Sequence, residues 1–372
     1  MSTLPTLYGL SSSGKIKQWT VTTDGAEVVI THGQVDGKLA EMRTTSKPKN
    51  VGKANETSPS EQAILEAQSK WNKQIKKDYR ESIEDIPKST LPNLAHKYQD
   101  KAHTVDWGNT YELAKLDGVR CSVFKKDGEI VFQSRGGEHY PVIQEIADEL
   151  EEYIFQTMPN AYVDGEMYLH SMYLEDITAC VKKHNEDTKK IEFHVFDLVD
   201  LDESDDPWIR RYERYSAILE DADTKRLRYC YASPIYSEEE MLETHWYYTG
   251  KLYEGIILRE TNGCYNFGNR TLGIIKYKVA ESEEFEVVGF ECDKNGAGVP
   301  ICKYIKPNGE EDTFKAPFAT TADKRKQLWA NRDKLVGKHI TVDFEKLSKY
   351  GKPTKPIGKA FRDVDEEGNP LN

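Results

Sequence analysis

The chain has 372 residues, 38% hydrophobic and 31% charged, with a formal net charge of −12, which suits two or three packed domains rather than a disordered chain. No apolar run approaches the roughly 20 residues of a membrane span, and the N-terminal stretch 1–9 lacks a basic segment followed by an apolar one, so neither a membrane protein nor a secretory signal is expected. The acidic balance also argues against a protein that simply coats nucleic acid.

Residues 1–82 read as a small module of their own. Lys15 to Val21 and Glu27 to Thr31 alternate like strands around a Thr23-Asp24-Gly25 turn, and Gln34 to Lys38 suggests another hairpin. Lys47 to Thr57 is polar, with Pro48 and Gly52, and predicts a loop. Ser58-Pro59-Ser60-Glu61 then predicts a helix start, with a capping residue, a proline in the first turn and a capping-box acid. Ile64, Ala67, Trp71, Ile75 and Tyr79 follow at three- and four-residue steps and give that helix one apolar face. Glu81 to Ala95, with Pro87 and Pro92, predicts a linker, bounded at 83–99.

A second region is expected over 100–280. Thr110 to Ala114 and Val119 to Phe124 are strand-like, and Asp117-Gly118 between them is a hairpin-turn signal. Lys115 therefore ends a strand on stiff backbone, and a lysine amine attacks only when neutral, so a catalytic role requires a lowered pKa. Further short apolar strands carry a charge at their end or at alternate positions, as a sheet lining a cleft would. These are Ser134-Arg135-Gly136-Gly137 after a strand, Tyr162-Val163 before Asp164-Gly165-Glu166, Phe193 to Asp197, Glu254 to Arg259, and Ile274 to Lys278. On the last, Lys276 and Lys278 are two apart and predict one face. A helix is expected from Pro141, with Val142, Ile143, Ile146, Leu150 and Ile154 buried, and another over Trp208 to Leu219 with Arg210, Arg211 and Arg214 exposed.

From residue 281 the pattern turns to short strands and turns, including Phe285 to Phe290 and His339 to Phe344. Residues 336–362 hold seven Lys or Arg and two acids, a net +5. Such a basic face on an acidic body suits phosphate-backbone binding, and a solvated lysine-rich loop is the alternative. Six cysteines without a Cys-x-x-Cys pair predict free, mostly buried thiols in a reducing cytosol, and the nine histidines are too scattered to nominate a ligand.

The ordered set Lys115-Leu116-Asp117-Gly118-Val119-Arg120, Ser134 to Gly137, Asp164-Gly165-Glu166, Phe193 to Asp197, Glu254 to Arg259 and Ile274 to Lys278 resembles the nucleotidyl transferase motifs of the covalent polynucleotide ligase and capping enzyme superfamily. Within it, the ATP-dependent DNA ligases of compact, bacteriophage-like type are the nearest match, over about residues 100–362. The resemblance implies an α+β protein. An ATP-grasp-like nucleotidyltransferase domain of antiparallel sheets with helices would occupy 100–280, and an OB-fold β-barrel 281–372. The front module resembles a WGR-type DNA-binding domain, with His32 and Gln34 where that signature has Trp and Arg.

By that resemblance Lys115 is the nucleophile that forms lysyl-AMP from ATP, which then passes AMP to the 5′-phosphate of a nick before the 3′-hydroxyl displaces it. Lys276 and Lys278 would hold the α-phosphate and depress the pKa of Lys115, and Arg120 would contact ATP or the nick. Glu166 would bind the ribose, Phe196 would stack on adenine, and Arg135 would take the nick's 5′-phosphate. Asp117 and Glu254 are carboxylates suited to Mg²⁺ or Mn²⁺; Asp117 belongs also to the implied catalytic set and Glu254 to the ATP-binding one. Lys349, Lys352 and Arg362 are candidates for DNA contact. The family's closing Arg-x-Asp-Lys has no literal counterpart, Phe361-Arg362-Asp363 being nearest. The implied partner is nicked double-stranded DNA, bound by a cytoplasmic monomer that closes around it. An RNA ligase or GTP-dependent capping enzyme, and a catalytically inactive nucleic-acid-binding protein, remain alternatives.

Overall fold

The computed structural model describes residues 2–11, 15–86, 89–203 and 205–362. Pro87, part of the expected linker, and Asp363 lie outside the described residues. The chain forms two compact units, Met1–Tyr277 and Lys278–Asn372.

The N-terminal part of the first unit is an antiparallel sheet of Ser2–Thr3, Leu7–Leu10, Ile16–Asp24, Glu27–Gln34 and Ala40–Thr45. Helix Pro59–Ile75 packs on it. The Ser58 hydroxyl accepts from the Glu61 amide at 3.3 Å and the Glu61 carboxylate accepts from the Ser58 amide at 2.8 Å, the reciprocal bonds of a capping box. Ala63, Ala67, Trp71, Ile75 and Tyr79 face Leu7, Trp19, Val21 and Val28. The expected apolar face holds except at its first member: Ile64 is 51% exposed, because the small Ala63 takes the position against the sheet.

Two further sheets make up the rest of this unit. The larger runs in the order His139–Tyr140, Glu129–Ser134, Val119–Lys126, Ala161–Tyr168, Glu192–Asp200 and Leu227–Tyr229. The smaller runs Ala232–Ile235, Thr110–Lys115, Gly255–Glu260, Arg270–Tyr277 and Leu94–Lys97. Leu94–Lys97, inside the segment expected as a linker, is thus an edge strand, parallel to Arg270–Tyr277. Helices Gln144–Leu150, Leu174–Lys182 and Trp208–Glu220 place Ile146, Ile177, Tyr215 and Leu219 in the core of the larger sheet. Helix Glu238–Gly250 buries Met241 with Ile235, Ile256, Leu258 and Ile275 of the smaller sheet.

The expected hairpin at Asp117-Gly118 does not form. Thr110–Lys115 and Val119–Lys126 belong to different sheets, and the chain crosses from one to the other between them. The reason is steric. A Cβ on Gly118 would lie 2.3 Å from the Met167 carbonyl oxygen and 2.8 Å from Glu166 Cγ, so this glycine is needed for close approach to strand Ala161–Tyr168 rather than for a tight reversal.

Charge is buried where the two sheets meet. Asp164 and Asp197 are direct cross-strand partners beside a bulge, and both are fully buried. Like charges so placed repel unless each is neutralised. Asp164 accepts from Arg120 Nε at 3.1 Å and Nη2 at 2.6 Å, and from the Tyr265 hydroxyl at 2.5 Å. Asp197 accepts from Arg211 Nε at 2.6 Å and Nη2 at 3.1 Å, and from Arg259 of the smaller sheet. Burial opposes the charge of Asp197, and the two guanidinium groups more than offset this, holding its carboxyl below the usual range. Arg211, expected to be exposed, is therefore a core residue, while Arg214 pairs with Asp206 nearer the surface.

The second unit is a five-stranded antiparallel sheet in the order Glu311–Lys315, Gly298–Ile305, Glu281–Cys292, His339–Phe344 and Ile357–Arg362. Its core is Val287, Cys302, Tyr304, Phe314, Ile340 and Val342. Among the described residues the two edge strands share no ladder, so no fully paired barrel is present; one parallel bridge joins Phe318, just past Glu311–Lys315, to Gly358 of Ile357–Arg362, with the Gly358 amide donating to the Pro317 carbonyl at 3.1 Å. All six cysteines are free, Cys264 and Cys292 being exposed rather than buried. Among the described residues no helix is long and apolar enough to cross a membrane.

Asp197→Ala is expected to lower the stability of the first unit by about 3–5 kcal/mol, since it strands two buried guanidinium groups. Urea unfolding of the variant against Arg210→Ala, at an exposed position of the same helix as Arg211, measures the difference.

Candidate active site

Lys115 is the last residue of its strand, and the backbone there is fixed by a bond from the Glu254 amide to the Lys115 carbonyl at 2.9 Å. The same register brings Glu254, which precedes strand Gly255–Glu260, beside the lysine side chain. Lys115 Nζ and the Glu254 carboxylate form an ion pair, with side chains 19% and 17% exposed. One strand further, Lys276 is opposite Ile257 and lines the same cleft.

That cleft lies between the two sheets and contains about 910 Å³ of empty space, part of it open to solvent. Leu94, Ala95, Leu113, Ile257, Ile274 and Cys230 give it apolar walls, and Lys115, Arg120, Arg135, Glu166, Arg259 and Lys276 give it charge. A concave apolar site with a few convergent polar groups is what a nucleotide-sized ligand needs. Phe196 lines it too, with the Arg120 guanidinium 5.3 Å from the ring centroid.

Six of the expected residues, Lys115, Arg120, Arg135, Glu166, Phe196 and Lys276, therefore share one cavity. Asp117 is half-buried on the crossing segment between the sheets. Lys278 does not continue the strand as expected: Arg270–Tyr277 ends before it, and its ammonium pairs with Glu345. Lys349, Lys352 and Arg362 belong to the second unit. Arg362 Nε donates to Glu284 at 3.0 Å and to the Thr341 hydroxyl at 2.8 Å, Lys349 stands 5.2 Å from the Tyr350 ring centroid, and Lys352 is exposed.

Arg259 and Cys230 also line the cleft, beyond the residues that the sequence nominates. Arg259 closes one of the charged strand-end motifs, but only the fold aims it inward. Asp164 and Asp197 are likewise visible as letters, and their task of holding Arg120 and Arg259 needs the cross-strand geometry.

Electrostatics separate the carboxyls. Burial pushes the Glu166 carboxyl up to about 7, with Lys115 and Arg120 pulling it back down. Burial works against the charge on Arg120, and Asp164 outweighs it, so that guanidinium is firmly charged. Arg135 is shifted down by burial and by Arg120 and Arg270 nearby, a crowding of cations that an anion would relieve. Among the described residues no group of three or more His, Cys, Asp or Glu side chains is arranged to hold a metal ion.

Glu166 keeps its proton to about pH 7 in the fold but loses it near 4.5 when unfolded, so it destabilises progressively as pH rises between those values. Glu166→Gln is therefore expected to raise stability at pH 8 by about 2 kcal/mol more than at pH 5. Unfolding curves at the two pH values read this, and an equal effect at both would remove the inference.

Comparison with known proteins agrees with this geometry. Residues 92–278 match the family described as the ATP dependent DNA ligase domain. The chain is similar to the DNA ligase of African swine fever virus, 25% identical over 343 residues that cover 88% of this chain and 81% of the relative. Among solved structures it shares its fold with "Pmar-Lig_Pre." at a TM-score of 0.63 and 20% identity, over 82% of this chain and 72% of the other. It also matches one described as "DNA binding with a minimal scaffold: Structure-function analysis of Lig E DNA ligases", at a TM-score of 0.57 and 19% identity over 73% and 99%. The family match spans half of the chain and contains the whole cleft, and the protein belongs to the ATP-dependent DNA ligase family.

Proposed function

We propose that this chain seals 5′-phosphate/3′-hydroxyl nicks in double-stranded DNA through lysyl-AMP and DNA-adenylate intermediates. The observation that carries the reading is the Lys115 amine, held in the cleft beside Glu254 with Lys276 two strands away. Lys115 Nζ attacks the α-phosphorus of ATP, a P–N bond forms, and the P–O bond to pyrophosphate breaks. Attack requires a neutral amine, and Glu254, already in contact, is the group placed to take its proton. A 5′-phosphate oxygen of the nick then attacks the same phosphorus and the P–N bond breaks, returning the lysine. Finally the 3′-hydroxyl attacks the 5′-phosphate and AMP leaves. Each step is an in-line transfer, so the protein contributes position and charge.

In this reading Lys276 neutralises the α-phosphate, with Lys278 in the same task, and Arg120, fixed by Asp164, presents its remaining donor edge to the nucleotide. Glu166 accepts from the ribose, Phe196 stacks on adenine, and Arg135 receives the nick's 5′-phosphate. Asp117 and Glu254 are the carboxylates that would hold a divalent ion such as Mg²⁺ or Mn²⁺, which takes oxygen ligands from substrate phosphates as well as from protein. Such an ion would supply charge neutralisation of the phosphates. Residues 1–82 serve as a WGR-like DNA-binding module joined by 83–99, 100–280 as the adenylyltransferase and 281–372 as an OB-type domain. Lys349, Lys352 and Arg362 contact DNA, and the enzyme acts in the cytoplasm as a monomer that closes on its substrate.

Incubation with α-labelled ATP or GTP and Mg²⁺, followed by a denaturing gel, tests the reading. Label from ATP that nicked DNA chases into sealed product is expected. Label from GTP would point to a capping activity, and no label from either to a binding protein. Lys115→Ala is expected to abolish the label, and Glu254→Gln to slow its formation by about 100-fold or more while equilibrium ATP binding is retained. Residual label in the lysine variant would put the nucleophile elsewhere. Removal of divalent ions with a chelator should stop labelling, with activity returning on addition of Mg²⁺.

A further inference from the structure

The loop between Ser134 and Glu138 carries Arg135, and it rests on the end of the N-terminal helix. Gly137, at φ +89°, is so close that a Cβ there would lie 3.0 Å from the Lys76 carbonyl oxygen and 3.1 Å from Leu91 Cδ2. Lys76 is the C-cap of helix Pro59–Ile75, and its ammonium pairs with Glu138 at 2.5 Å. That pair is half-exposed and by itself worth little. The backbone contact at Gly137 is tight, and its φ of +89° lies where a residue with a side chain is strained.

A second path of bonds reaches the same loop. Arg80, just past the helix, exchanges backbone bonds with Tyr8 of the N-terminal sheet at 2.7 and 2.9 Å. Asp78 in that turn is half-buried beside Ser89 and Thr90. Thr90 donates its hydroxyl to Gln133 Oε1 at 3.1 Å, and Gln133 Nε2 donates back to the Thr90 carbonyl at 2.8 Å. Gln133 stands two residues before Arg135. The 89–93 segment also reaches the cleft's charge network, since the Asn93 amide donates to the Tyr265 hydroxyl at 3.1 Å, which in turn donates to Asp164.

From these two contacts we propose that the N-terminal module is the positioning element for Arg135, so that the anion-recognising end of the cleft is built jointly by the module and the catalytic sheets. Lys76 and Gly137 act through Arg135, as positioning residues. The exposed Lys73 and Lys77 at the same helix end add positive charge, which suits the phosphate backbone of a duplex leading up to the nick. The family match begins at residue 92 and assigns nothing to this contact. The inference rests on the proposed assignment of Arg135 to the nick's 5′-phosphate.

The test separates two steps in the full-length protein: formation of lysyl-AMP from ATP, and single-turnover transfer of AMP from the isolated lysyl-AMP enzyme to nicked DNA. Gly137→Ala is expected to slow transfer about tenfold while lysyl-AMP formation stays within about twofold, because a small displacement of an orienting group acts only on the step it orients. Lys76→Glu and Glu138→Lys should each slow transfer about threefold, and the double reversal should restore it. Arg135→Ala is the control. If it leaves transfer intact, the assignment of Arg135 fails and this inference with it. If it slows transfer while Gly137→Ala and the reversals do not, the coupling alone is overturned. Equal loss in both steps for Gly137→Ala, with no restoration in the double reversal, would make the contact merely structural and would also overturn it.

Discussion

The buried ion pair between Asp197 and Arg259 ties together the two sheets that line the cleft. Asp197 is on the larger sheet and Arg259 on the smaller, so their contact closes the space between the sheets at one end and leaves it open towards Lys115. Burying such charge is costly and is tolerated only when the partners are well bonded. Arg211 supplies the second guanidinium for Asp197, and on the adjacent strand Arg120 and Tyr265 do the same for Asp164. One pair of aspartates thus supports both the fold and the orientation of two arginines in the cleft.

The placement of Lys115 follows from the same division into two sheets. Lys115 ends the smaller sheet at the point where the chain leaves for the larger one, and Gly118 permits the crossing by lying against the Met167 carbonyl. The amine is thereby fixed at a strand end, between Glu254, which leads into the neighbouring strand, and Glu166 on the other sheet. Glu254, paired with the amine, and Glu166, whose burial favours its protonated form, are two carboxyls with different environments near one lysine.

The ends of the chain are less readable from letters. The helix Pro59–Ile75 follows its capping box, yet Ile64 faces solvent, since three- and four-residue spacing leaves the phase of a helix uncertain by one residue. In the second unit the strands are where alternation puts them, and among the described residues the two edges of their sheet are joined by the single Phe318–Gly358 bridge and no ladder. Alternation reports which residues are strand and which face is buried. It carries no information on whether two edges meet.

Local chemistry was legible in the sequence: short apolar strands with charged ends, Lys115 at one such end, and an ordered series of acids and bases that marks a ligase. Those features depend on residue type and spacing over a few positions, which a sequence displays directly. The tertiary structure decided what those residues do to one another. That Asp117-Gly118 is a crossing and not a hairpin, that Arg211 is core, that Arg259 faces the cleft and that Lys278 lies beyond its strand all depend on partners tens to more than a hundred residues away. Sheet pairing and buried charge are set by such long-range contacts, and no local pattern encodes them.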